Sequence, residues 1–132
     1  MRPIKTYLIL PTLLLMALSC AKSVAPEQAI VEQKALLVGN AQPVDGCDAH
    51  FVINYTTSTA TDGTPVLPSE ATRPLFDKVI KAEEAKQANG FWMGQKEVTI
   101  RYRAISGTTG NLPCGRVQKS DPIPLIELIA IQ

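Results

Sequence analysis

Chemistry-bearing side chains are scarce in this chain of 132 residues, which has one histidine, one tryptophan and three cysteines. It contains no Gly-x-Ser-x-Gly, so it holds no nucleophile elbow, and no Gly-x-x-x-x-Gly-Lys, so it holds no P-loop. It has no Cys-x-x-Cys pair either, which removes the usual half of a zinc site. Aromatic residues make up only 5%, and the formal net charge is +1. A chain so evenly charged has no long-range attraction for nucleic acid. No apolar run reaches the roughly 20 residues that a helix needs to cross a bilayer.

What is present begins at the N-terminus. Arg2 and Lys5 form a short basic region, and Tyr7–Leu18 is an apolar run interrupted only by Pro11 and Thr12. Its length suits a secretory signal peptide. It leads into Met16-Ala17-Leu18-Ser19-Cys20, with a small residue directly before the cysteine. That arrangement resembles the lipobox of bacterial lipoproteins. The resemblance implies that residues 1–19 are removed, that Cys20 is acylated, and that the lipid bilayer is the chain's first partner. The other readings are an uncleaved signal anchor and an ordinary signal peptide with Cys20 as a bystander. Residues 20–28 are small and polar and read as a lipidated tether. No aspartate follows Cys20, and no acidic cluster follows it. The location this implies is the outer membrane, facing the periplasm. Removal of residues 1–19 takes away two basic residues, leaving eleven Lys and Arg against twelve Asp and Glu, a net charge of −1.

Residues 29–132 are long enough for one domain with one core. Ten prolines and eight glycines lie mostly between apolar runs, which predicts short elements and many turns. Strands are expected over residues 29–38, where the N-terminal half also reads as helix, over Phe51–Tyr55 and over Thr64–Pro68. The two prolines of the third place it at a sheet edge. One helix is expected over residues 69–90, capped by Ser69 or Thr72, with Pro74 in its first turn. Its apolar stripe is Leu75, Phe76, Val79, Ile80 and Ala82, and Asn89-Gly90 stops it. Lys96–Ile105 alternates, with Val98, Ile100, Tyr102 and Ala104 on one face and Thr99, Arg101 and Arg103 on the other. A loop over residues 106–121 leads to a last strand, 122–131, apolar on both faces.

Three strands, a helix and two strands are the element order of an OB-fold, a five-stranded, partly open barrel. The chain also resembles a group of small bacterial lipoproteins with OB-like domains. The residues that carry this resemblance are Cys47 ahead of Phe51-Val-Ile53, Val66-Leu-Pro68, Val98-Thr-Ile-Arg-Tyr102, Cys114 and Ile123-Pro-Leu-Ile-Glu-Leu128. A small α+β sandwich, with the helix across one sheet face, is the rival architecture.

With Cys20 lipidated, Cys47 and Cys114 are an even pair in an oxidising compartment, which predicts a disulfide tying the first loop to the last. A metal site from Cys47, Asp48, His50 and Cys114 is the second reading, and a redox-active cysteine the third. His50 reads as a polar residue at a strand start, or as a general base beside Asp45 or Asp48. Arg101 and Arg103, with Lys96 on their strand and Arg116 and Lys119 in the last loop, are the candidate groove for an anionic or sugar ligand. The alternative is an ordinary solvent-facing strand. Trp92, within Phe91-Trp92-Met93, is either a further ligand contact or a plug for the barrel end. Paired carboxylates for glycoside hydrolysis stay open, although Glu83-Glu84 reads as solvated helix surface and Glu127 lies in an apolar strand.

The function expected is therefore a membrane-anchored, ligand-binding envelope module, with no cofactor, no metal and no catalytic step. A structural or assembly lipoprotein that binds another envelope protein is the alternative. Possible partners are a saccharide or such a protein, and nucleic acid is not among them.

Overall fold

Short apolar runs separated by Pro-, Gly- and Thr-rich connections yield five strands and one helix. They are β1 (Val31–Val38), β2 (His50–Ile53), β3 (Thr64–Pro68), α1 (Arg73–Glu84), β4 (Gln95–Gly110) and β5 (Ile123–Ile131). The computed structural model describes residues 28–41, 46–57, 62–115 and 122–132. The strands close into a barrel in the order β1-β2-β3-β5-β4, which is that of an OB-fold. β3 and β5 run parallel, and every other neighbouring pair is antiparallel. Because the sheet closes on itself, the sandwich alternative is wrong.

The barrel interior is filled from all six elements. Ala35, Leu37, Phe51, Ile53, Val66, Val98, Ile100, Tyr102, Ile126 and Leu128 meet there with Phe76 and Ile80 of α1. The rings of Phe51 and Phe76 stack edge to face, with centroids 5.0 Å apart. α1 is thus the lid of the core rather than a layer beside it. Outward side chains of β1 and β2 are buried too: Leu36, Val38 and Val52 form a second cluster against Tyr55. Every residue of Ala35-Leu-Leu-Val38 is consequently inaccessible, which explains a run with no alternation.

Several expectations need correction. β1 begins at Val31 and contains no helix, and β2 ends at Ile53 because Asn54 turns the chain at φ 55°. β3 is not an edge strand. It pairs with β2 through Thr64–Val66 and with β5 through Leu67 and Pro68, so each proline adjoins a single partner strand. A missing N–H then breaks no ladder on a second side. The helix proper is shorter than expected, and isolated turns carry the chain on to Gly90. At the cap position the Thr72 hydroxyl makes no capping bond; it accepts the Leu128 N–H at 3.1 Å, tying α1 to β5. On the helix stripe Ala82 is exposed and Glu83 is buried. β4 runs on through Gly110, shortening the expected loop. Register shifts fall between Arg101 and Tyr102 and between Ala104 and Thr109, and Ala104, though paired with the buried Ile126 on the inward face, is itself exposed.

Candidate functional site

An OB-fold ordinarily offers ligands the outer face of its second and third strands, between the loops joining β1 to β2 and β4 to β5. Here Cys47 and Cys114, one in each loop, are bonded to each other at 2.01 Å. The Asp48 N–H donates to the Pro113 carbonyl at 2.8 Å, and the Gly115 N–H to the Gly46 carbonyl at 2.9 Å. Beneath this junction Leu67, Leu112 and Ile123 form a small core of their own, with Leu125 packed against it. The two loops are therefore fastened together across the outside of β3. The outward side chains that would floor an open groove, Val52 and Leu67, are 1% and 5% exposed.

Joined in a disulfide, neither sulfur is a thiolate that could ligate a metal. His50 is buried at the start of β2. Its Nδ1 lies 2.7 Å from the Asp48 carbonyl oxygen and so carries the proton in the neutral ring. Burial lowers its pKa, opposed by that hydrogen bond and by the Asp48 charge. His50 is thus a buried imidazole held by a backbone oxygen at the start of β2.

Arg101 and Arg103 share the outer face of β4, since Tyr102 between them points into the core. Each meets a carboxylate on an adjoining strand: Arg101 Nε lies 3.4 Å from Glu32 of β1, and Arg103 Nη1 lies 3.4 Å from Glu127 of β5. Lys96 turns instead to Glu83 at 2.8 Å. The basic stripe is thus largely neutralised by the chain itself, an arrangement that depends on strand register and has no signature in residue spacing. Arg103 and Glu127 do border an open cleft of about 390 Å³ with Gln28 and Ser106.

Trp92 belongs to the other end of β4. From Gln95 to Arg101 is about 20 Å along an extended strand, so Trp92 and the arginines form no common site. Its indole packs against the barrel core, in agreement with the plug reading, and two glycines clasp it. A β-carbon on Gly39 would approach the Trp92 carbonyl oxygen to 2.2 Å, and one on Gly94 would approach the indole Nε1 to 2.7 Å. Cys20, Arg116 and Lys119 lie outside the described residues.

Two features lie outside the expected site. One is a cleft of about 410 Å³ beside the joined loops, floored by Leu67, Pro68 and Leu125 and rimmed by Glu70, Arg73 and Asn111. The other is the carboxylate of the buried Glu83, whose Oε1 accepts from both Lys86, at 2.9 Å, and Lys96, at 2.8 Å. These two bonds, Lys96 first, hold its pKa below the usual carboxylate range.

No family model, curated protein or solved structure matches this chain. The OB-like assignment accordingly rests on strand order alone.

Proposed function

We propose that the chain is a non-catalytic envelope lipoprotein, anchored through acylated Cys20 to the outer membrane on its periplasmic side, whose OB-like domain binds another envelope protein. The observation that carries the choice of a protein over a small ligand is the covered groove. Val52 and Leu67, which point outward on the usual OB ligand face, are nearly inaccessible and leave little open floor there for a small ligand, whereas protein recognition needs only a surface. The neutralised arginine stripe points the same way, since an anion would have to displace Glu32 or Glu127.

A small ligand, such as a saccharide, is the second reading and has one observation in its favour, the cleft rimmed by Glu70, Arg73 and Asn111 over an apolar floor. The test is made on the full chain extracted from bacterial membranes. Mass analysis is expected to find two or more acyl chains on Cys20. Titration with envelope saccharides, followed by Trp92 fluorescence and by calorimetry, is expected to show no saturable binding. Saturable binding that is lost in Asn111→Ala and Arg73→Ala would transfer the assignment to the second reading. An unmodified Cys20 would remove the anchor.

A further inference from the structure

Among the described residues, the large apolar side chains left exposed are Ile30, Val31, Phe91 and Met93. The first two lie where the described chain begins. Phe91 and Met93 are 57% and 45% exposed and flank the half-buried Trp92. Their segment is firmly held. Gly39 and Gly94 clasp the indole, the Gly39 N–H donates to the Gly94 carbonyl at 2.9 Å, and the Phe91 N–H donates to Asn89 Oδ1 at 3.1 Å. Exposed aromatic and Met side chains on a segment packed at its base match the composition of an interface anchor.

Two further observations say what kind of occupant fits. The segment adjoins the C-terminal end of β1, where Val38 pairs with Gln95. The chain enters at the other end of β1, where Gln28 bonds to Ser106. The eight residues of β1 separate the two ends by about 26 Å, so Phe91 and Met93 lie at the end of β1 opposite to the one where the described chain enters. Within five residues of them along the chain, Lys86 and Lys96, with side chains 60% and 50% exposed, share the single carboxylate of Glu83. That leaves an excess positive charge next to the apolar pair. A second copy of the chain would set this charge against itself, whereas a partner with acidic groups would be attracted.

We propose that Phe91 and Met93, held out by Trp92, are the docking point for a protein partner that presents an apolar pocket with an acidic rim. This rests on the protein-binding reading above.

The test places a photo-crosslinking benzophenone amino acid at position 91 of the full chain in bacterial membranes. The expected product is an adduct with a different protein, mapped by mass spectrometry to a peptide combining bulky apolar residues with Asp or Glu. Its yield should fall about tenfold with Met93→Ser, stay near normal with Met93→Leu, and fall as salt rises. Unchanged Trp92 emission in both variants shows that the fold is kept. Adducts with lipid, with a second copy of the chain or with a peptide lacking acidic residues would each overturn the proposal, as would a yield indifferent to Met93→Ser or no adduct at all. An adduct of the expected kind on a chain with unmodified Cys20 would retire the anchor and leave the docking point standing. An acylated chain with no adduct would do the reverse.

Discussion

Lys96, the second residue of β4, reaches back to Glu83, the last inward-facing residue of α1, with Nζ 2.8 Å from Oε1. The contact fixes the end of the helix against the start of the longest strand, across the connection that carries Trp92. Glu83→Gln removes the charge that both lysines share, and the variant is expected to melt at a lower temperature, with Lys96→Met adding little once Glu83 is gone. The pH dependence follows from the lowered pKa of Glu83. A depressed carboxyl contributes stability that is complete above its unfolded value of about 4.5 and is lost as pH falls through the folded value. Denaturant titrations below pH 4.5 should therefore separate wild type from Glu83→Gln less and less as acidity increases.

His50 acts at a higher pH. Its pKa is lowered because burial disfavours the charged ring, an effect greater than the opposing pull of the Asp48 carbonyl and charge. The unfolded chain takes up a proton near the ordinary value of about 6.5 before the folded one does. The folded state thus keeps its full stability above that pH and loses it as pH falls further. The slope approaches about 1.4 kcal/mol per pH unit for one proton. His50→Asn, whose amide can still donate to Asp48, should flatten this slope between pH 6.5 and 5. An unchanged slope would show that another group is responsible.

Much of this arrangement is legible in residue order and some of it is not, for identifiable reasons. Val98, Ile100 and Tyr102 face inward at alternate positions, so the strand is plain to read. Cys47 and Cys114 could be paired by counting. Pro65 and Pro68 mislead because their ordinary meaning is an edge, and only the register shows two half-length pairings that spare each of them. Glu83 continues the spacing of Phe76 and Ile80, so its inward place was available from helical periodicity. What hid it was its charge, because the neutralising Lys96 stands 13 positions away. The pairings of Arg101 with Glu32 and of Arg103 with Glu127 likewise exist only once the barrel has closed.

Phe76 is where helix and barrel depend on each other most directly. It is 2% exposed and meets Phe51, itself fully buried, edge to face. Phe76→Ala loses the transfer energy of the ring and leaves a cavity at the barrel end, at a cost of about 3–5 kcal/mol. Urea unfolding should show a midpoint lowered by that cost divided by the slope of stability against urea, with the slope itself unchanged. Lys78→Ala, on the exposed side of the same helix, should stay within about 0.5 kcal/mol of wild type.

The loop junction yields the last prediction. A bond between residues 67 positions apart restricts the unfolded chain by about 4 kcal/mol in the chain-entropy account. Replacing Cys47 and Cys114 together by Ser should therefore lower Tm by at most about 15–30 °C. The actual fall should be smaller, because the Asp48–Pro113 and Gly115–Gly46 hydrogen bonds and the cluster of Leu67, Leu112 and Ile123 also hold the loops together. The sharper readout is local. If the disulfide is what keeps the groove covered, amide hydrogens of residues 46–48, 112, 114 and 115 should exchange much faster in the Cys→Ser pair, while those of β1 and β4 keep their protection. Uniform loss of protection would instead mark the disulfide as a support of the whole barrel. Unchanged exchange in the loops would mean that the apolar cluster alone keeps Leu67 covered.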